Sequence, residues 1–194
     1  MALTHRNRRG EVYFIQAKLR GGKTAYSAAR KPTGEPVDRL PDGYEIYEMP
    51  DDAQVLVRKT KPTQILPAET QSAIAAIRRF TQLEYFIVDT EPASIVIYLP
   101  DAEPDRSIEL MRAIAPMTVD QAHSMRDHMM SRSRYQKMMR FVLTNKAERT
   151  FTAERWCFRG RIDNWHHLTG GKLLPELLER YVPHLGKDSF FDLV

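Results

Sequence analysis

Cysteine is almost missing from this chain: Cys157 is the only one in 194 residues. One thiol excludes an internal disulfide and every multi-cysteine zinc or iron–sulfur centre. A reducing, cytoplasmic setting is the expectation that follows. Long apolar runs are missing too, none approaching the ~20 residues of a bilayer-spanning helix, so no membrane partner is expected. The opening MALTHRNRRGE is basic with no apolar stretch behind it, unlike a secretory signal. No GxxxxGK[ST], GxGxxG or GxSxG occurs, which removes the signatures of phosphate loops, dinucleotide folds and nucleophile elbows. Arg20-Gly21-Gly22-Lys23-Thr24 has the end of a phosphate-loop composition but joins two strand-like runs. RNP, KH and zinc-finger signatures are also lacking. Their lack argues against sequence-specific nucleic-acid recognition more than against binding in general. No cofactor is implied.

What the chain does have is segregated charge. The net +4 conceals blocks of +7 over residues 1–31, −8 over 32–120, +7 over 121–161 and −2 over 162–194. Either the basic blocks form a patch for an anionic partner, or they dock on the acidic middle of their own chain.

The order of elements predicts an α+β protein with antiparallel sheets and helices on one side. Residues 1–10 read as a disordered basic arm, since THRNRRG has nothing apolar to bury. Residues 11–62 read as a four-stranded antiparallel β module, and residues 63–194 as a sheet-and-helix body. In the module, EVYFIQAKL and TAYSAAR should turn at Gly21-Gly22, which supply the positive φ of a two-residue hairpin. Arg20 then faces Lys23. Tyr13, Ile15, Ala17, Leu19, Tyr26 and Ala28 fall on the core face, and Gln16, Lys18, Arg20, Lys23 and Ser27 on an exposed one. A second hairpin, YEIYE and QVLVRK, should turn at Pro50 to Ala53.

In the body, Leu66 to Gln82 has helical periodicity, followed by a hairpin of EYFIVDT and ASIVIYL. Arg106 to Ala115 reads as a short helix. Thr118-Val119-Asp120-Gln121 fits a capping box opening a helix to about Tyr135, with Val119, Ala122, Met125, Met129 and Ser133 inward. A central hairpin pairs Met138–Leu143 with Phe151–Phe158. Neither parity of the second run is clean, so that strand should be interior and covered on both sides. Its charges, Glu154 and Arg155, then need polar partners. Gly170-Gly171 reads as a break before a last helix, Lys172 to Tyr181, with Leu173, Leu174, Leu177, Leu178 and Tyr181 inward. The tail keeps Phe190, Phe191 and Leu193, as a docked end would.

Several constellations could carry chemistry. Asp120, His123 and Asp127 share a helical face but lack an obvious fourth ligand. Cys157 with His166 and His167 has the elements of a nucleophile–base pair, and Arg155, Arg159 and Arg161 could lower the thiol pKa. Glu154 beside Arg140 could be an acid or a structural ion pair. Seven of the nine methionines lie between Met111 and Met139, filling a core or lining a partner groove.

The leading expectation is a non-enzymatic, nucleic-acid-binding or nucleic-acid-associated accessory protein using a discontinuous basic surface. Its contacts are Arg6, Arg8, Arg9, Lys18, Arg20, Lys23, Arg132, Arg134 and Lys137, with Tyr13, Tyr26 and Tyr135 as possible stacking rings. The alternatives are a protein-interaction module using the Met-rich helix and acidic middle, and a small hydrolase of unknown substrate built on Glu154, Cys157 or His166.

Overall fold

The computed structural model describes residues 2–102, 104–158 and 163–194. Among them are three antiparallel sheets and four helices, an α+β architecture. The chain divides into two compact units, Met1–Thr60 with Asp101–Arg134, and Lys61–Pro100 with Tyr135–Val194. Residues 101–134, assigned by the sequence reading to the body, therefore group with the N-terminal residues. No helix of the described residues is long and apolar enough to cross a membrane.

In the first unit, β1 (Thr4–Arg6), β2 (Val12–Arg20), β3 (Lys23–Ala29) and β4 (Glu35–Pro36) form one sheet. β1 and β4 share one edge of β2, opposite Val12–Phe14 and Gln16–Ala17, while β3 takes the other. β5 (Tyr44–Glu48) and β6 (Val55–Lys59) form a second hairpin, turning through Ala53 at φ 61. Both expected hairpins are present, and Arg20 faces Lys23. Three expectations fail here. Residues 1–10 are not a loose arm, because Asn7 organises them. Only 3% exposed, its side chain accepts from the Arg9 and Glu11 amides and donates to the Ala53 carbonyl and the Glu11 carboxylate. Counting apolar residues overlooks an anchor of this polar kind. Gln16, expected on the exposed face, is buried: its Oε1 accepts from the Thr33 and Gly34 amides at 2.8 Å, folding that loop across it. Tyr13 and Ile15 are buried as expected, whereas Leu19 is 78% exposed.

The same unit contains α2 (Pro104–Ile114) and α3 (Val119–Arg132). The capping box forms, Thr118 Oγ1 accepting from the Gln121 amide and Gln121 Oε1 from the Thr118 amide. α3 ends at Arg132, short of Tyr135, and buries Ala122 and Met130; Val119, expected inward, is 78% exposed.

The second unit is a five-stranded meander in the order β11-β10-β9-β8-β7. Its strands are β7 (Ile87–Glu91), β8 (Ser94–Pro100), β9 (Tyr135–Asn145), β10 (Thr150–Cys157) and β11 (Asn164–Leu173). Two helices, α1 (Pro67–Phe80) and α4 (Leu174–Tyr181), share one core with Ile95, Ile97, Phe141, Phe151 and Ala153. Those sheet residues alternate along their strands, so both helices cover the same face. Phe190 of the tail is buried in that core, while Leu173 is exposed. Across the sheet, Val96, Tyr98 and Tyr135 make a smaller cluster with Ile87 and Trp165. β10 is interior, as its mixed parity implies. Gly170-Gly171 is not a break: β11 runs through it. Phe151 pairs with Lys172 and Ala153 with Thr169, so the glycines form a bulge, with Gly171 at φ 70.

Candidate nucleic-acid interface

β2 and β3 continue past the ends of β1 and β4, leaving a two-stranded tip. Its rungs are Lys18–Ala25, Leu19–Thr24 and Arg20–Lys23, and every residue from Lys18 to Ala25 is exposed. Strand alternation puts Lys18, Arg20 and Lys23 on one face and Leu19 with Thr24 on the other. Gly21 at φ 55 and Gly22 at φ 75 make the tight turn that brings Arg20 and Lys23 together. The Lys18 ammonium donates to Thr33 Oγ1 at 2.9 Å, a neutral partner that leaves its charge uncompensated. None of the three cations has an ion-pair partner among the described residues.

The other basic residues separate into two groups. Arg8 is internally engaged: its Nη1 donates to Glu48 at 3.1 Å and the Met49 carbonyl at 2.9 Å, and its Nη2 to the Pro50 carbonyl at 2.7 Å. Arg126 pairs with Asp105 and Arg149 with Glu69. Arg30 donates to the Tyr13 hydroxyl and to Glu11; the Tyr13 bond, then the Tyr13 and Glu11 charges, raise its pKa above the ordinary value. Docking on the chain's own acids thus accounts for part of the basic blocks. Arg6 is exposed and donates to the Gly10 carbonyl, and Arg9 is half-buried in the Asn7 turn. Arg132 and Arg134, at the end of α3, are exposed and unpaired among the described residues. Lys137 lies in the second unit, half-buried, its ammonium 5.7 Å from the Trp156 ring centre. Of the expected stacking rings, Tyr13 and Tyr135 are buried and Tyr26 packs edge-on against Tyr44 at 5.1 Å.

The charged strand of the second unit resolves into structural contacts. Glu154 accepts from Arg140 Nε at 2.5 Å, and the Arg140 guanidinium lies 4.4 Å from the centre of Trp165. Trp165 meets Trp156 edge-on at 5.0 Å. Arg155 Nε donates to the Leu193 carbonyl at 2.7 Å. His166 and His167 sit on β11 opposite Arg155 and Glu154, and not in a loop. Cys157 is buried and faces Asn164; Arg159 and Arg161 lie outside the described residues. His123 approaches Asp127 at 3.7 Å, and no group of three or more metal-ligating side chains assembles among the described residues.

The chain matches no protein-family model, no curated protein and no solved structure. Its function has to be argued from the chain's own geometry.

Proposed function

We propose that this is a non-enzymatic nucleic-acid-binding accessory protein whose main contact element is the β2–β3 hairpin tip. The observation that carries this reading is the exposed face of Lys18, Arg20 and Lys23, brought together by the Gly21-Gly22 turn and lacking carboxylate partners among the described residues. A phosphate backbone is the extended anion that a row of cations suits, and binding releases its condensed counterions. Arg132 and Arg134 are a second exposed basic pair. Arg6 and Arg9 remain candidate contacts, whereas Arg8 and Lys137 have internal partners that compete for them.

Fluorescence anisotropy on duplex and single-stranded oligonucleotides at two salt concentrations tests the reading. Binding should be measurable at ~20 mM salt, where the Debye length exceeds ~20 Å. It should weaken steeply with salt, each neutralised phosphate adding roughly −0.9 to the log–log slope for duplex DNA and −0.7 for single strands. Replacing Lys18, Arg20 and Lys23 together by Ala should reduce that slope by about 2 units for single strands and about 3 for duplex DNA, and shift stability by less than about 0.5 kcal/mol. Absence of binding at low salt overturns the proposal.

One observation favours a protein-interaction reading as the alternative. Leu110, Met111, Ile114 and Val119 leave an apolar stretch exposed across the end of α2 and the start of α3. The methionines of α3 itself are at least half-buried, so any apolar contact surface lies on α2 and the α2–α3 turn.

A further inference from the structure

The tip of the basic hairpin has a feature that phosphate binding does not require. Leu19 is 78% exposed and flanked in sequence by Lys18 and Arg20. Leu19 is the only large apolar side chain among residues 18–25, and Thr24 stands opposite it. Leu19 projects from the face opposite Lys18 and Arg20, so the tip is basic on one side and carries Leu19 beside the uncharged Thr24 on the other. Resting on the nucleic-acid reading above, we infer that the β2–β3 tip enters a groove of duplex DNA and that Leu19 wedges between base pairs, kinking the duplex.

Two observations support a duplex over a single strand. The tip is a two-stranded ribbon of three rungs without a third strand, an element of the kind that lies in the major or the minor groove of duplex DNA. No aromatic ring stands among residues 18–25, whereas sequence-tolerant single-strand sites rely on aromatic stacking platforms. Aliphatic side chains that enter the minor groove do the opposite, unstacking one base step and bending the duplex toward the major groove. In such an arrangement Leu19, on the inner face, leaves water for the base stack, while the long side chains of Lys18, Arg20 and Lys23, on the outer face, reach past the ribbon's edges to the phosphates of the groove walls. Gly21 and Gly22 turn the ribbon at positive φ, and Gln16 ties the loop after β3 to the ribbon's base.

Kinking carries a sequence signature that charge attraction lacks. Pyrimidine–purine steps such as TA open most easily, and a mismatch lowers the cost further. Full-length protein should therefore bind a duplex with one central TA step or mismatch more tightly than a fully paired A-tract, despite equal phosphate charge.

The experiment measures energy transfer between dyes at the two ends of a short duplex, with anisotropy run in parallel. Wild-type protein should raise the transfer efficiency, as a bend of 20–90° would. Leu19→Ser should bind about ten-fold more weakly, leave the transfer efficiency unchanged and lose the preference for the TA or mismatched site. Leu19→Phe should restore both bend and preference. Leu19 is exposed, so these variants should melt like the wild type, and their melting curves check this. Binding by wild type without bending overturns the wedge and leaves the nucleic-acid reading standing. The same follows if Leu19→Ser bends as well as wild type. Binding to single strands or RNA duplexes alone overturns the assignment to duplex DNA. No binding of any nucleic acid at low salt overturns both.

Discussion

Replacing Arg8 by Ala would remove hydrogen bonds to the Glu48 carboxylate and to the carbonyls of Met49 and Pro50, all from one half-buried guanidinium. Bonds with a charged partner are each worth roughly 1.5–3 kcal/mol, and Glu48 would lose its main cation. The variant should therefore be destabilised by about 2–3 kcal/mol in a urea titration. Arg8→Lys should recover only part of this, because an ammonium cannot reproduce the planar fork that reaches two carbonyls and a carboxylate. Lys23→Ala, at an exposed and unpaired site, should change stability by less than about 0.5 kcal/mol. The two residues carry the same formal charge and lie in the same basic block. Composition cannot tell them apart, because the difference lies in a carboxylate 40 residues away in sequence. Arg155 was opaque for the same reason: its need for a polar partner could be read from its strand, but the Leu193 carbonyl, 38 residues on, could not.

Elements whose signal is local were legible. The β2–β3 turn follows from two adjacent glycines between alternating runs, and the capping box from Thr118 and Gln121 three residues apart. Where a glycine pair served a partner strand, the signal misled. Gly170-Gly171 reads as a chain break, yet β11 needs Gly170 small to pass Thr152 and Gly171 to take its φ of 70 in the bulge. A Cβ on Gly170 would stand 2.7 Å from Thr152 Oγ1, which belongs to a buried side chain. Gly170→Ala should thus destabilise the second unit by about 1–3 kcal/mol. Adding Thr152→Ala removes the clashing oxygen, so the double variant should regain part of the loss, a coupling that a double-mutant cycle on melting curves would read. Additive losses would mean that β11 accommodates the methyl by shifting. The N-terminal ten residues were misread for a related reason. Their order depends on Asn7, a polar side chain that satisfies four partners at once, and disorder rules built on apolar content have no place for it.

At the scale of the whole chain, the division into units cuts the sequence three times, and the last two cuts share an unusual geometry. β8 and β9 are hydrogen-bonded neighbours, and Pro100, the last residue of one, pairs with Tyr135, the first of the other. Between these facing residues the chain leaves for 34 residues, Asp101–Arg134, that belong to the first unit. The entry and exit points thus stand one ladder rung apart, about 5 Å. Joining Pro100 to Tyr135 through an Asn-Gly turn should turn the excursion into an ordinary hairpin. The shortened chain should keep a cooperative melt and the near-ultraviolet dichroism of the Trp156–Trp165 pair. Closing the shorter loop should favour the second unit by about 2 kcal/mol. Loss of the dichroism would mean that the meander depends on residues 101–134. In grafting terms, Pro100 and Tyr135 are two adjacent sockets and the helix pair is a cassette plugged into them. Any module whose ends lie about 5 Å apart should be tolerated there by the second unit, whereas the first unit gives up Arg132 and Arg134 in the exchange and keeps Lys18, Arg20 and Lys23.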